Sequence, residues 1–209
     1  PAHRHKFWFI FSMMKNEVTR EAVNRLEYGE PNLVKDLFLI LKECDPKKAH
    51  LAAKKYISHK NAQVRWEALD ALDPKSSEET EAVVKIYRRE KNRSVKKKAG
   101  SVILRTGNPE SIGWMFASCE KDVFHPDNLP ELVELCGQAR AEAALPHLQR
   151  LYQRPPLFYF GNREDLRSAI ITSAGRLKTA DALELVRLGL KDRSRRVRET
   201  SEIILKLDE

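Results

Sequence analysis

The stretch Asn61-Ala62-Gln63-Val64-Arg65-Trp66-Glu67-Ala68-Leu69 decides the fold, because it recurs. Asn92-Arg93-Ser94-Val95-Lys96-Lys97-Lys98-Ala99-Gly100 repeats its skeleton. Arg163-Glu164-Asp165-Leu166-Arg167 and Ser194-Arg195-Arg196-Val197-Arg198 repeat its kernel, an apolar residue followed by a basic one. Marked along the chain, the apolar position falls at Leu33, Val64, Val95, Leu129, Leu166 and Val197, at intervals of 31, 31, 34, 37 and 31 residues. Four residues beyond the marks stand Leu37, Ala68, Ala99, Val133, Ile170 and Ser201; eight beyond stand Leu41, Leu72, Ile103, Gly137, Ala174 and Leu205. Offsets of four and eight share one helix face, with Ser201 and Gly137 the weakest members. A period of thirty-odd residues fits a helical hairpin, the unit of stacked arrays.

A second apolar stripe runs between the marks: Ala82, Val83 and Ile86; Ile112, Met115, Phe116 and Cys119; Ala144, Leu145, Leu148 and Tyr152; Ala182, Leu183, Val186 and Leu190. With this helix called A and the marked one B, the chain divides into six hairpins: 16–28 with 31–43, 46–59 with 61–72, 77–91 with 92–106, 109–121 with 129–138, 141–154 with 163–177, and 179–191 with 194–207. Pro31, Pro109 and Pro130 suit first-turn positions, where a missing N–H costs nothing. Asn61, Asn92, Asp192 and Ser194 are N-cap candidates. One hairpin cannot bury its own stripe, so neighbours must cover it and the core becomes a continuous ribbon. Residues 1–15 are expected to form an apolar helix that caps the array or ends an upstream region, and 16–209 to form the repeat domain. The chain begins at Pro1, and we expect it to be excised from a longer protein or processed at its start.

Bulk chemistry agrees. Only 8% of residues are aromatic and 8 are glycine, lean for an all-β or dinucleotide-binding protein. The net charge of +8 favours anionic partners: nucleic acid, acidic protein surfaces or anionic lipid. No stretch approaches the roughly 20 apolar residues of a membrane span. Cys44, Cys119 and Cys136 lie in apolar helical contexts at spacings that suit neither a disulfide framework nor a zinc site, so buried thiols in a reducing, cytoplasmic compartment are expected.

An Asx or turn residue, then Val-Arg, then Ala and Leu at helical spacing resembles the second helix of HEAT repeats, most closely over Asn61–Leu72 and Arg193–Leu205. Gly175–Leu183 resembles the inter-repeat turn of bacterial members, and the likeness covers most of residues 16–207. It implies an all-α, right-handed α-α superhelix of about six hairpins. Repeats one and four depart from the pattern, with Val34 and Pro130 where the basic residue should stand. The family consists largely of scaffolds, so a non-enzymatic protein is expected, without cofactor, that binds a protein partner through the concave face and the A–B turn edge. The alternative is nucleic-acid binding or DNA repair, as in HEAT-like DNA glycosylases, through the basic clusters.

Three sets of residues are candidate sites. The first is the basic row Arg65, Lys96, Arg167 and Arg198; in HEAT repeats this arginine commonly braces neighbouring repeats through acidic turn residues. Two denser clusters extend it with Arg88, Arg89, Arg93, Lys97 and Lys98, and with Arg195 and Arg196, read either as solvated faces or as anion-binding patches. The second set is the insertion carrying Leu157, Phe158, Tyr159 and Phe160, with Phe124 in the companion loop on the same edge. These bulky apolar residues either fold back over repeats four and five or form a partner patch. The third set is catalytic. None of the six histidines forms a His-Glu pair, and no nucleophile or phosphate-cradling motif is present. Certain DNA glycosylases built from HEAT-like repeats use Trp, Asp and Arg on a concave face, and Trp66, Asp70 and Arg65, with Trp114, superficially supply that set. The resemblance there is one of fold alone.

Overall fold

The structure, a computed structural model, describes residues 15–28, 31–121, 128–156, 159 and 161–207. Its helices are α1 (Lys15–Tyr28), α2 (Pro31–Cys44), α3 (Pro46–Tyr56), α4 (Ala62–Ala71), α5 (Ser77–Arg89), α6 (Arg93–Thr106), α7 (Pro109–Lys121), α8 (Asn128–Gln138), α9 (Leu145–Gln153), α10 (Arg163–Leu177), α11 (Ala180–Gly189) and α12 (Arg195–Lys206). A 3-10 turn, Glu142–Ala144, leads into α9. Among the described residues there is no strand, and no helix is long and apolar enough to cross a membrane. The protein is all-α.

Local chemistry sets the helix ends. Pro31, Pro46 and Pro109 each open a helix, at the position where proline's fixed φ helps and its missing N–H is free of cost. The Asn61 side chain accepts from the N–H groups of Gln63 and Val64, Asn92 from Val95, Asn162 from Glu164 and Ser194 from Val197. Each satisfies donors that the first helical turn leaves orphaned. Three turns from a B helix to the next A helix contain a left-handed residue: Gly107 (φ 65°), Arg140 (φ 49°) and Lys178 (φ 58°). Only the first is glycine, which adopts this region without steric cost.

The chain forms two compact units, Pro1–Val102 and Ile103–Glu209. In the first, α2 packs against α1, α3 and α4, and α3 against α4. In the second, α10 packs against α8, α9, α11 and α12; α7 pairs with α8 and α11 with α12. Within each unit, then, sequential helices pair and B helices lie side by side. The recurring marks form the core: Val64, Val95, Leu129, Leu166 and Val197 are at most 3% exposed, and Ala68, Ala99, Val133 and Ile170 are fully buried. Burying such side chains stabilises a fold by roughly 1.5–3 kcal/mol for each Val or Ile.

The two weakest matches mark close approach. A Cβ on Gly137 would lie 2.8 Å from the Ser173 Cα, and the Ser173 hydroxyl donates to the Val133 carbonyl at 2.7 Å, so α8 and α10 nearly touch there. Ser201 is fully buried, donates to the Val197 carbonyl and faces Gly189.

Several expectations need correction. Leu33 is 45% exposed, whereas Val34 is 2% exposed. The first turn of α2 therefore turns Val34 inward, while Leu37 and Leu41, four and eight residues past Leu33, are buried. Leu183 is half-buried and Leu190 is 38% exposed; Leu185 and Gly189 take the inward positions of α11 instead. Cys44 and Cys136 are buried and in no disulfide, but Cys119 is only part-buried. Burial pushes the Cys136 thiol up to about 12. The expected cap helix, apart from Lys15, lies outside the described residues.

Candidate functional site: the turn edge and its cations

Arg65 ends the first turn of α4, and its guanidinium is committed to hydrogen bonds within the protein. Nε and Nη2 donate to the two carboxylate oxygens of Glu90 at 2.7 and 2.8 Å. Nη1 donates to the carbonyls of His59 and Lys60 at 2.8 and 3.0 Å. One side chain thus closes the A–B turn of its own hairpin and reaches the A–B turn of the next. Burial disfavours the Glu90 carboxylate, but hydrogen bonds from Arg65 and from the Asn92 N–H outweigh it and hold the group below its usual range.

Beside this brace lies a surface cleft of about 630 Å³ within the first unit. Its floor is Ile57, Ala82 and Ile86, and its rim carries Lys60, Lys85, Arg89 and Lys91. All four rim cations are exposed, and none has a side-chain ion pair or hydrogen bond among the described residues. The acid in the cleft, Glu90, is already neutralised by Arg65. The cleft therefore presents unbalanced positive charge over an apolar floor.

The second unit repeats the brace with altered chemistry. Arg167 Nη1 lies 3.4 Å from both oxygens of Asp192, and its guanidinium sits 6.0 Å from the Tyr152 ring centroid. Tyr152 donates to Asp192 at 2.6 Å, and Asp192 also accepts from the Ser194 N–H. Burial, then the hydrogen bond to Asp192, raise the phenol's pKa. Arg198 Nη1 donates to the Asp192 and Arg193 carbonyls, as Arg65 does to the carbonyls of its own turn. Lys96 differs. It rests over the Tyr87 ring at 5.3 Å.

The glycosylase-like set is split. Arg65 is held by Glu90 and its own turn, whereas Trp66 and Asp70 meet Lys98. Lys98 Nζ lies 4.4 Å from the Trp66 ring centroid and is ion-paired to Asp70, which Lys42 also contacts at 3.1 Å. Burial opposes ionisation of Asp70, but the hydrogen bonds from Lys98 and Lys42 prevail and lower its pKa. Glu67, 5% exposed, accepts from Gln63 at 2.6 Å, and burial raises its pKa. Among the described residues no group of three or more His, Cys, Asp or Glu is placed to hold a metal.

The other candidate cations are mostly engaged. Arg196 pairs with Asp165, and Arg195 pairs with Glu199 at 2.6 Å. Arg88, Arg93 and Lys97 each have an interaction partner. Of the residues singled out in the two dense clusters, Arg89 alone lacks one among the described residues. Phe124, Leu157, Phe158 and Phe160 lie outside the described residues; Tyr159 is half-buried and has a partner. Sequence reasoning missed Lys60, which carries no signal beyond its place just before a cap.

No family model, curated protein or solved structure matches the chain.

Proposed function

We propose that the chain is a HEAT-type scaffold, its hairpins stacked as repeats of a right-handed α-α superhelix, that binds an acidic protein partner in the cytoplasm without catalysis. The observation that carries this reading is the division of labour at the turn edge. Arg65 is consumed in bracing, while Lys60, Lys85, Arg89 and Lys91 stand unpaired around the adjoining cleft. A brace that fixes the turns pre-organises those cations, so a partner need not spend binding energy ordering them. Unpaired surface cations steer an anionic partner to the site and set its register. The apolar floor of Ile57, Ala82 and Ile86 favours protein side chains over a bare phosphate backbone.

A photo-cross-linking amino acid at position 85 tests this directly. Covalent capture of a discrete protein is expected, lost in Lys60→Glu/Arg89→Glu at an unchanged melting temperature. The same cations favour nucleic acid as the second reading. Nuclease-sensitive adducts, with affinity falling steeply as salt rises, would replace the protein reading by that one. Capture that ignores the charge reversal would sink both.

A further inference from the structure

The second unit carries a different groove, of about 540 Å³, where the C-terminal ends of α8, α10 and α12 come together. Three cations, Arg140, Arg176 and Lys178, line it, with no carboxylate among the described residues of its walls. All three are exposed and make no side-chain ion pair or hydrogen bond among the described residues. The apolar part is Ile204 and Leu207, the latter 82% exposed. Gly175 forms one wall, and any Cβ there would collide with Ile204, so α10 and α12 approach closely at the groove's base.

Backbone conformation supplies a second observation. Arg140 and Lys178 hold left-handed φ values of 49° and 58°, where Gly107 serves in the corresponding turn before α7. An L-residue pays a steric penalty in this region that glycine does not. Two long cationic side chains are thus kept at strained positions, both facing one groove. Such strain concentrates where a side chain has work to do.

We propose that this groove docks an acidic peptide segment of a partner protein, a bulky apolar side chain seated against Ile204 and Leu207 and flanking carboxylates paired with Arg140, Arg176 and Lys178. Charge complementarity selects the occupant: three unpaired cations around an apolar seat suit an acidic, apolar-anchored segment better than a basic or purely polar one. The site is independent of the cleft beside Arg65, which lies in the other unit.

The test is to pan a displayed library of random twelve-residue peptides against the full chain, then measure the consensus peptide by fluorescence anisotropy. We expect enrichment of a bulky apolar residue flanked by Asp or Glu. Affinity should fall at least tenfold in Arg140→Glu/Arg176→Glu and again in Leu207→Asp, with unchanged circular dichroism and melting temperature. Lys85→Glu/Arg89→Glu, in the first unit, should leave it unaltered. The proposal is overturned if no acidic-apolar consensus emerges, if the groove variants bind it normally, if the first-unit variant removes binding, or if a duplex DNA probe binds the groove uncontested by the peptide.

Discussion

The two arginine braces occupy the same repeat position, yet they are built differently. Arg65 and Glu90 form a bidentate pair, two parallel hydrogen bonds in the fork geometry that suits guanidinium and carboxylate. Arg167 and Asp192 meet only at 3.4 Å, and Arg167 Nε is buried with no hydrogen-bond partner among the described residues. Aspartate is one methylene shorter than glutamate, so its carboxylate does not reach the fork. Tyr152 and the Ser194 N–H occupy its oxygens instead. Local side chains thus decide how each of these two braces is made, and Lys96 at the same position rests on an aromatic ring instead. In one unit the energy sits in an ion pair; in the other it is spread over a phenol, a backbone N–H and a distant guanidinium.

That difference can be broken open by substitution. Asp192→Ala is expected to cost most, about 3 kcal/mol in urea unfolding, because it strands a buried phenol and a partly buried guanidinium together. Glu90→Gln should cost about 2 kcal/mol, since the amide keeps one acceptor for Arg65 but loses the charge. Tyr152→Phe should cost about 1.5 kcal/mol, the worth of one hydrogen bond to a carboxylate, and a value near zero would remove the phenol from the network. Smallest, and opposite in sign, Lys178→Gly should stabilise by about 0.5–1 kcal/mol by relieving the left-handed residue.

Acid sharpens the comparison from another side, through a group of the first unit alone. The Lys75 N–H, Lys54 and His50 hold Glu79 down to about 2 from an ordinary 4.5. Its folded-state pKa is depressed, so its stabilisation is present above about 4.5 and drains away as pH falls through about 2. In a pH series of urea unfolding curves, Glu79→Gln should flatten the acid limb across that window. An unchanged limb would mean that Glu79 is not what ties α3 to α5.

Much of the fold was legible because it is written locally. Prolines at first turns, Asn61 and Ser194 as caps, and Val or Leu at each mark locate the helices to within a few residues. The first mark misleads because α2 is apolar on two adjacent rows, Leu33 with Leu37 and Val34 with Phe38; Leu37 and Phe38 are both buried, and only the exposure of Leu33 tells the rows apart. The site was less legible. The cleft gathers residues 57–60 with 82–91, and whether a cation is free or paired depends on a neighbour as far as 31 residues away. Arg196 and Arg89 look alike in sequence, yet Asp165 engages the first and nothing among the described residues engages the second. The groove at Arg140 and Lys178 was invisible for a further reason: a left-handed φ on an ordinary residue leaves no compositional trace.

Arg65, in the first turn of a B helix, ties its hairpin to the turn of the next, while Lys60, Lys85, Arg89 and Lys91 have no side-chain partner among the described residues. A double-mutant cycle on Arg65→Ala and Glu90→Ala, read by urea unfolding, tests it most directly. A coupling of about 2 kcal/mol is expected, with partner capture retained by whatever fraction stays folded. Additive effects, with coupling near zero, would contradict the account and return Arg65 to the pool of free surface cations.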